Sequence, residues 1–300
     1  MKNRKSFFCV MLSLCILIGA GLTIKLVNHF TIDEDADPLI LMDTVDKKLI
    51  LYYIQKEKET LEIPIDMYNI DNEYALKKGK GGELLSVMNN GIIKFNYITG
   101  ETEQICSYEQ LEKILKSNIT ELRFVPNTND VSFVISDKIY VWKYDQKLYR
   151  EIYQFNYSCY GKLGFAYEWK NEEEIYMIHS QNLILFNIKT KNEEIILEDI
   201  GTAYFNISDD GNYLVCQKQY GERREIVLIN IFSNERKIIH VAKSDYKVKT
   251  DFAPDGKYIF LIDQHNDNHL GKIYLYLYDM RTDRKYQIKI NYPTWRFVGW

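Results

Sequence analysis

One pattern recurs six times along this chain and constrains its fold more than any other feature. Each copy has a short apolar run, a polar turn and a second β-favouring run, and the copies start at residues 47, 90, 137, 181, 224 and 271. Their starts lie 43, 47, 44, 43 and 47 residues apart, and a four-stranded propeller blade takes about 40–50 residues. The repeat therefore predicts an all-β chain that forms a six-bladed β-propeller. The third position is apolar throughout: Leu49, Ile92, Ile139, Leu183, Ile226 and Ile273.

We interpret each copy as the outer two strands of a blade, with the inner two strands just upstream. In the last copy, the sequence Ala-Pro-Asp-Gly at residues 253–256 predicts the turn of the inner hairpin. The fifth copy has Ser-Asp-Asp-Gly at residues 208–211, in the corresponding place. The sixth position is large in every copy: Tyr52, Phe95, Trp142, Phe186, Ile229 and Tyr276.

The inner hairpin of the last copy also carries a family resemblance. Residues 252–259 read FAPDGKYI, and residues 207–214 read ISDDGNYL. The first string resembles the repeat signature of TolB-like propellers, a branch of the WD-like repeats, and the second is a weaker match. The resemblance implies a six-bladed propeller. It implies no particular activity, because this fold hosts many functions.

The two ends of the repeat region predict how the ring closes. The first copy has one upstream strand, at residues 38–43, and the chain ends with a strand-like run at residues 295–300. We expect the C-terminal strand to complete the first blade, since closure removes an exposed sheet edge. The alternative is a truncated seventh blade, whose unpaired strand would need protection.

Residues 1–30 predict a signal anchor that crosses a membrane. Lys2, Arg4 and Lys5 precede residues 7–24, which carry no charge, and as a helix these eighteen residues would be roughly 27 Å long. The positive charges place the N-terminus in the cytoplasm and the body outside, in a single-pass cell-membrane protein. Cleavage near residues 19–21 is the alternative. The domains are then the anchor at 1–30, an acidic linker at 31–37 and the propeller at 38–300.

The charge of the body excludes one class of partner. Beyond residue 30 the chain has 34 basic and 42 acidic residues, a formal charge of −8. Nucleic-acid binding depends on clustered Lys and Arg, so we expect no nucleic-acid partner. The body has Cys106, Cys159 and Cys216, which are too few and too widely spaced for a disulfide framework. We expect them to behave as buried apolar side chains.

One segment departs from the repeat with a helical signal. Ser107 and Gln110 have capping-box spacing, and Leu111, Ile114 and Leu115 share one helical face. These residues predict a short helix at 107–117 between blades two and three.

Four polar residues are the candidate ligand-binding set. Arg123, Glu168, Asn206 and Asp251 each precede the aromatic or apolar anchor of a predicted inner strand. Inner strands line a propeller's central channel, where these side chains can converge on a polar or charged ligand. The alternative is that they are ordinary wall residues that pair with one another. Glu168, Asn206 and Asp251 would also suit a calcium ion, which Arg123 would oppose.

The remaining chemistry-bearing residues give weaker signals. His265 and His269, with Asp263 and Asp267, form a metal-like cluster, but a loop between strands does not supply the helical geometry that places such histidines on one ion. We interpret this segment as a solvated loop and predict no metal and no cofactor. No nucleophile elbow or Walker loop is present in the sequence, so we predict no catalytic residue.

These observations predict a membrane-anchored extracytoplasmic propeller that acts as a protein-binding, ligand-binding or scaffold module without catalysis. Its partner would be an envelope protein or a small polar ligand, and its N-terminal helix would contact the membrane. One alternative is a channel-centred metal-dependent hydrolase of the lactonase kind. The other is a sensor or accessory subunit of an envelope complex.

Overall fold

A computed structural model describes thirteen segments of the chain between residues 39 and 299. Secondary structure in these segments is almost entirely β. The description covers residues 39–43, 48–52, 63–64, 76–78, 82–88, 91–115, 119–155, 166–200, 204–243, 247–253, 255–264, 273–288 and 295–299.

Five four-stranded antiparallel sheets are built from strands that follow one another in the chain. We call them blades two to six, after the repeat copies that they contain. Blade two has β4 (Leu76–Lys78), β5 (Glu83–Met88), β6 (Gly91–Asn96) and β7 (Thr102–Ser107); blade three has β8 (Ile119–Phe124), β9 (Val131–Ile135), β10 (Lys138–Lys143) and β11 (Leu148–Gln154). Blade four has β12 (Tyr167–Trp169), β13 (Glu174–His179), β14 (Asn182–Asn187) and β15 (Glu193–Leu197); blade five has β16 (Phe205–Ile207), β17 (Tyr213–Tyr220), β18 (Arg223–Asn230) and β19 (Arg236–Lys243). Blade six has β20 (Lys247–Phe252), β21 (Tyr258–Gln264), β22 (Ile273–Asp279) and β23 (Arg284–Ile288).

A further sheet, which we call the closing sheet, joins the two ends of the described chain. It contains β1 (Leu39–Asp43), β2 (Lys48–Tyr52), β3 (Ile63–Pro64) and β24 (Trp295–Gly299), in the order β24-β1-β2-β3. The pairing of β24 with β1 is antiparallel and matches Asp43 with Trp295. The prediction that the C-terminal strand closes the ring is confirmed by this pairing.

The predicted fold class needs correction in two respects. The structure has five blades of consecutive strands, not six equivalent ones, since repeat copy one lies in the closing sheet, where β3 has two residues and ends at Pro64. The predicted transmembrane helix, the linker at 31–37 and the start of the propeller at residue 38 lie outside the described residues. Within the described segments, no helix is long and apolar enough to cross a membrane.

The repeat is visible in burial and in the turns. Its third position is fully buried in four blades, at Ile92, Ile139, Leu183 and Ile226. Blade six is different, because Leu275 and Tyr278 are buried, whereas Tyr276 at the sixth position of the copy is half-buried. Its strand pattern is therefore shifted by two residues. The hydrophobic cores lie between neighbouring blades, where the facing sheets pack side chains against each other.

The predicted capping box is present, although the helix is shorter than expected. Helix α1 spans Tyr108–Leu111, and its N-cap Ser107 accepts a hydrogen bond from the Gln110 backbone N–H at 3.2 Å. The Gln110 side chain in turn accepts from the Ser107 backbone N–H at 2.8 Å. Leu111 is fully buried in the core between blades two and three, as predicted.

Two cysteines are described, and both are buried as expected. Burial raises the pKa of Cys106 and of Cys216 to about 12. Both thiols therefore stay protonated near neutral pH and have the low reactivity of buried cysteines. Cys159 lies outside the described residues.

Replacing Asn187 with alanine should destabilise blade four by about 1 kcal/mol. The side-chain oxygen Oδ1 of Asn187 accepts hydrogen bonds from the backbone N–H groups of Lys189 and Thr190, both at 3.0 Å, and so holds the turn between β14 and β15. Urea unfolding measures the loss. The matched control is Asn192→Ala in the same turn, with an expected change within about 0.5 kcal/mol, and an equal loss in both variants would contradict this role of Asn187.

Candidate ligand site at the inner strands

The four predicted ligand residues lie on the first strands of four successive blades. Arg123 is on β8, Glu168 on β12, Asn206 on β16 and Asp251 on β20. Neighbouring first strands contact one another in the order β4, β8, β12, β16 and β20, and β24 of the closing sheet contacts β4. This order is the one expected of strands that line the centre of a propeller.

Arg123 is bound by two carboxylates. Its Nε donates to Glu168 Oε1 at 3.0 Å, and Nη2 donates to Glu121 Oε2 at 2.9 Å. Nη1 donates to the backbone oxygen of Leu122 at 2.8 Å. The side chains of Arg123, Glu121 and Glu168 are only 12%, 11% and 18% exposed. This buried guanidinium therefore has polar partners for all three of its nitrogens.

The electrostatics of this cluster favour the charged arginine. Burial alone lowers the pKa of Arg123, but the charges of Glu168 and Glu121 outweigh burial and hold the pKa above its usual range. The Arg123 guanidinium also lies 5.6 Å from the centre of the Tyr167 ring. Because a buried charge is expensive without partners, the two carboxylates and the ring make its position favourable.

A second layer of hydrogen bonds holds this cluster between blades three and four. The Tyr167 hydroxyl donates to the backbone oxygen of Glu121 or to Ser132 Oγ, at 3.0 and 2.7 Å. Trp169 Nε1 donates to the same Ser132 oxygen at 2.7 Å. Burial raises the pKa of Tyr167 above its usual range, so its hydroxyl remains a neutral donor. These contacts fix the inner edge of blade four against that of blade three.

Asn206 and Asp251 belong to a separate contact between blades five and six. Asn206 Nδ2 donates to the backbone oxygen of Thr250, and it lies 3.4 Å from Thr250 Oγ1. Asp251 Oδ1 accepts from the backbone N–H of Phe252 at 3.1 Å. The structure thus joins Arg123 directly to Glu168, whereas Asn206 reaches the residue next to Asp251.

Three residues of the inner network are absent from the sequence prediction. Glu121 lies within a β-bulge between Thr120 and Arg123, and its φ of 51° lies in the left-handed region. A β-bulge changes the direction of the side chains in it, and no local sequence motif predicts the bulge at Glu121. Ser132 and Tyr167 have no polar pattern that would mark them in the sequence. Tyr167 in particular looks like an ordinary aromatic strand residue.

The structure does not test the two histidines that were weak metal-ligand candidates. His265 and His269 lie outside the described residues. Asp263 belongs to β21 rather than to a loop, because that strand extends to Gln264. Among the described residues, no three His, Cys, Asp or Glu side chains are grouped as metal ligands would be.

Replacing Tyr167 with phenylalanine should destabilise the protein by about 1–3 kcal/mol. The change removes the hydroxyl that reaches the buried backbone oxygen of Glu121 and Ser132 Oγ, and it leaves Ser132 Oγ with Trp169 Nε1 as a donor. Chemical unfolding of the purified protein measures this loss. Tyr153→Phe is the matched control, because its hydroxyl contacts Glu193 at an exposed site, and we expect a change within about 0.5 kcal/mol. Equal losses would show that the Tyr167 hydroxyl has no special role.

These sheets and their central strands define a β-propeller. No protein-family model matches the chain, and no curated protein is significantly similar to it in sequence. Among solved structures, a putative TolB from Agrobacterium tumefaciens is similar with a TM-score of 0.52 and 11% identity, over 84% of this chain and 88% of that chain. TolB from Acinetobacter baumannii has a TM-score of 0.39 and 11% identity, over 69% and 56%. Hydrazine synthase from Kuenenia stuttgartiensis has a TM-score of 0.48 and 15% identity, over 76% and 69%.

The comparisons support the fold at a coarse level. The putative TolB from Agrobacterium tumefaciens shares the fold of this chain, in agreement with the resemblance found in the sequence. Identities of 11–15% carry no information about activity.

Proposed function

We propose that this protein is a binding or scaffold module that acts without catalysis on the extracytoplasmic side of a membrane. The location rests on the sequence of residues 1–30, with its three leading basic residues and uncharged run. The binding role rests on the propeller fold and on the exposed apolar side chains of blade five, and the mutual pairing of Arg123 and Glu168 argues against a ligand in the channel. The partner would be an envelope protein rather than a ligand held in the channel.

The main observation behind this proposal is that all three nitrogens of the Arg123 guanidinium already have hydrogen-bond partners within the protein. Both carboxylates near it, Glu121 and Glu168, are engaged with the guanidinium, at 2.9 and 3.0 Å. A polar ligand would have to separate these buried ion pairs before it could contact either charge. Separation is costly, because it leaves a buried charge without its partner. The inner polar groups therefore suit a structural role between blades better than a recognition role.

The exposed apolar side chains lie away from the inner strands. Among described residues, seven large hydrophobic side chains are exposed, and four of these belong to blade five or its turns. Phe232 is 80% exposed in the turn between β18 and β19, and Tyr220 is 57% exposed at the tip of β17. Ile238 and Val241 lie on the outer strand β19. Large aromatic residues are typical of protein interfaces, so we propose the outer edge of blade five as the contact surface.

Site-specific photocrosslinking in cells tests this surface. A photoreactive phenylalanine analogue at Phe232 or Ile238 should yield a discrete crosslinked product with an envelope protein. The same analogue at Ile98, which is 71% exposed in the matching turn of blade two, serves as the control. Products of equal yield and pattern at all three positions would contradict a specific surface on blade five.

Metal analysis of the full chain tests the absence of catalysis against the hydrolase alternative. Protein purified without chelators should contain less than one equivalent of calcium, with no difference between wild type and Asp251→Ala. The control Asp255→Ala removes an exposed carboxylate from the turn after β20. Stoichiometric calcium that is lost in Asp251→Ala and kept in Asp255→Ala would overturn the proposal and favour a metal-dependent hydrolase.

A further inference from the structure

A buried histidine connects blades five and six at a position outside the inner strands. His240 lies on β19, and its side chain is 5% exposed. Its Nε2 is 3.1 Å from Asp263 Oδ2 on β21, and the Asp263 side chain is 8% exposed. An ionised carboxylate can only accept hydrogen bonds. The hydrogen of a neutral His240 therefore lies on Nε2, which leaves Nδ1 as an acceptor.

The acceptor nitrogen of His240 faces a lysine. Lys285 Nζ lies 2.8 Å from His240 Nδ1, on the outer strand β23. The ring of Tyr276 lies beside both groups, with its centre 5.0 Å from that of the imidazole and 5.1 Å from Lys285 Nζ. The residue Lys285 as a whole is exposed. A reagent from solvent can thus reach a lysine whose amino group contacts a proton acceptor.

Two features make this lysine unlike an ordinary surface lysine. Burial of its amino group lowers the pKa of Lys285, although the charge of Asp263 acts in the opposite direction. In addition, Asp263 Oδ1 is buried and accepts no hydrogen bond in the described part of the chain. The carboxylate therefore keeps capacity to stabilise positive charge that moves from the lysine to the imidazole.

We propose that Lys285 is a selective acylation site, at which His240 accepts the proton that the amine must lose before it attacks an activated acyl donor such as an acyl phosphate. In this step one ammonium proton moves to His240 Nδ1, and the amine lone pair forms a bond to the acyl carbon. The bond from that carbon to the phosphate oxygen breaks, and phosphate leaves with the electron pair. The nitrogen loses a second proton to solvent to give the amide, and His240 then returns its proton to solvent.

Acylation of Lys285 would alter the contact between two blades. The neutral amide no longer carries the cation beside Tyr276, and it has lost the ammonium hydrogen bond to His240. An ion pair between Lys237 of β19 and Asp283 of the turn before β23 links the same two blades. This inference does not rest on the proposed binding function, since it concerns a covalent change, although His240 lies on the same strand as Ile238 and Val241.

Competitive acetylation of the full chain in mild detergent tests the proposal. The protein is treated with a limiting amount of acetyl phosphate, digested, and the occupancy of each lysine is followed by mass spectrometry. Lys285 should react at least about tenfold faster than the exposed lysines Lys113 and Lys243, as expected for an amine with a positioned proton acceptor. In urea above the unfolding midpoint the three rates should become equal.

Variants separate the effect of His240 from simple accessibility. His240→Gln and Asp263→Asn should each reduce the rate at Lys285 towards that of Lys243, while His179→Gln, at a half-buried histidine beside Glu193, should leave it unchanged. Circular dichroism confirms that each variant is folded. If a variant does not fold, the acetylation rates of Lys285 and Lys243 in the folded and the urea-unfolded wild type still test the proposal. Equal rates at Lys285 and Lys243 in the folded wild type would overturn the proposal, as would an advantage that both folded variants retain.

Discussion

Arg123→Met should lower the free energy of unfolding by about 3–5 kcal/mol, among the largest effects of any single change in this protein. Methionine has a comparable length and no charge, so it leaves Glu121 and Glu168 largely buried without their cation. Their carboxylates lie 2.9 and 3.0 Å from the guanidinium in the native protein. Urea unfolding followed by tryptophan fluorescence measures the loss.

Two further variants show whether burial of the carboxylates causes that loss. Arg223→Met removes an arginine whose side chain is 57% exposed beside Glu225, and it should cost at most about 1 kcal/mol. The triple variant Arg123→Met, Glu121→Gln, Glu168→Gln should recover part of the stability, because no unpaired charge remains. A loss at Arg123 no greater than that at Arg223 would contradict the structural role assigned to the inner network.

Phe133→Ala should cost about 3–5 kcal/mol, because it opens a cavity in the core between blades two and three. The Phe133 side chain is fully buried, and its ring stacks against Tyr140 with 6.1 Å between the ring centres. Surrounding strands are held in register by the ladders of blade three, so the core can collapse only partly around the cavity. Thermal and urea unfolding of the variant measure the effect.

Phe232→Ala is the control for Phe133, since it deletes the same side chain from an exposed turn. Phe232 is 80% exposed, and its replacement should change stability by no more than about 0.5 kcal/mol. The same variant should weaken crosslinking to the proposed partner at neighbouring positions. If Phe232→Ala were as destabilising as Phe133→Ala, the assignment of buried and exposed faces in these blades would be wrong.

Local and periodic signals in the sequence predicted much of this fold. The repeat located the outer strands because an apolar third position and a polar turn recur at blade spacing, and Ile92, Ile139, Leu183 and Ile226 are fully buried as that pattern requires. The capping box at Ser107 was predictable because it depends on residues three apart. Closure by β24 followed from the missing strand upstream of copy one.

Features that depend on tertiary context were not predictable in the same way. Glu121 joins the inner network through a β-bulge and a left-handed backbone, which no sequence period encodes. Asp263 was placed in a polar loop because its neighbours are polar, yet it ends up buried in β21 against His240. The two-residue shift in blade six arises because apolar and aromatic residues alternate there over several positions, which permits two alignments of the repeat.

The strands that carry the four candidate residues were predictable from the sequence, but the partners of these residues were not. Arg123, Glu168, Asn206 and Asp251 do lie on the first strands of their blades, because the repeat identifies which strand is innermost. Their binding of a ligand stays a prediction. The partners that occupy them come from other blades, as when Glu168 reaches Arg123 across 45 residues of chain, and a single sequence contains no record of that pairing.

An experimental structure of the full chain, purified gently from cells, tests the central claim most directly. We predict that Arg123 is bound by Glu121 and Glu168 as described above, and that no ion or organic ligand contacts Arg123, Glu168, Asn206 or Asp251. Density for a bound ion or ligand that bridges Glu168, Asn206 and Asp251, with Arg123 displaced from its carboxylates, would contradict the claim and identify the channel as the functional site.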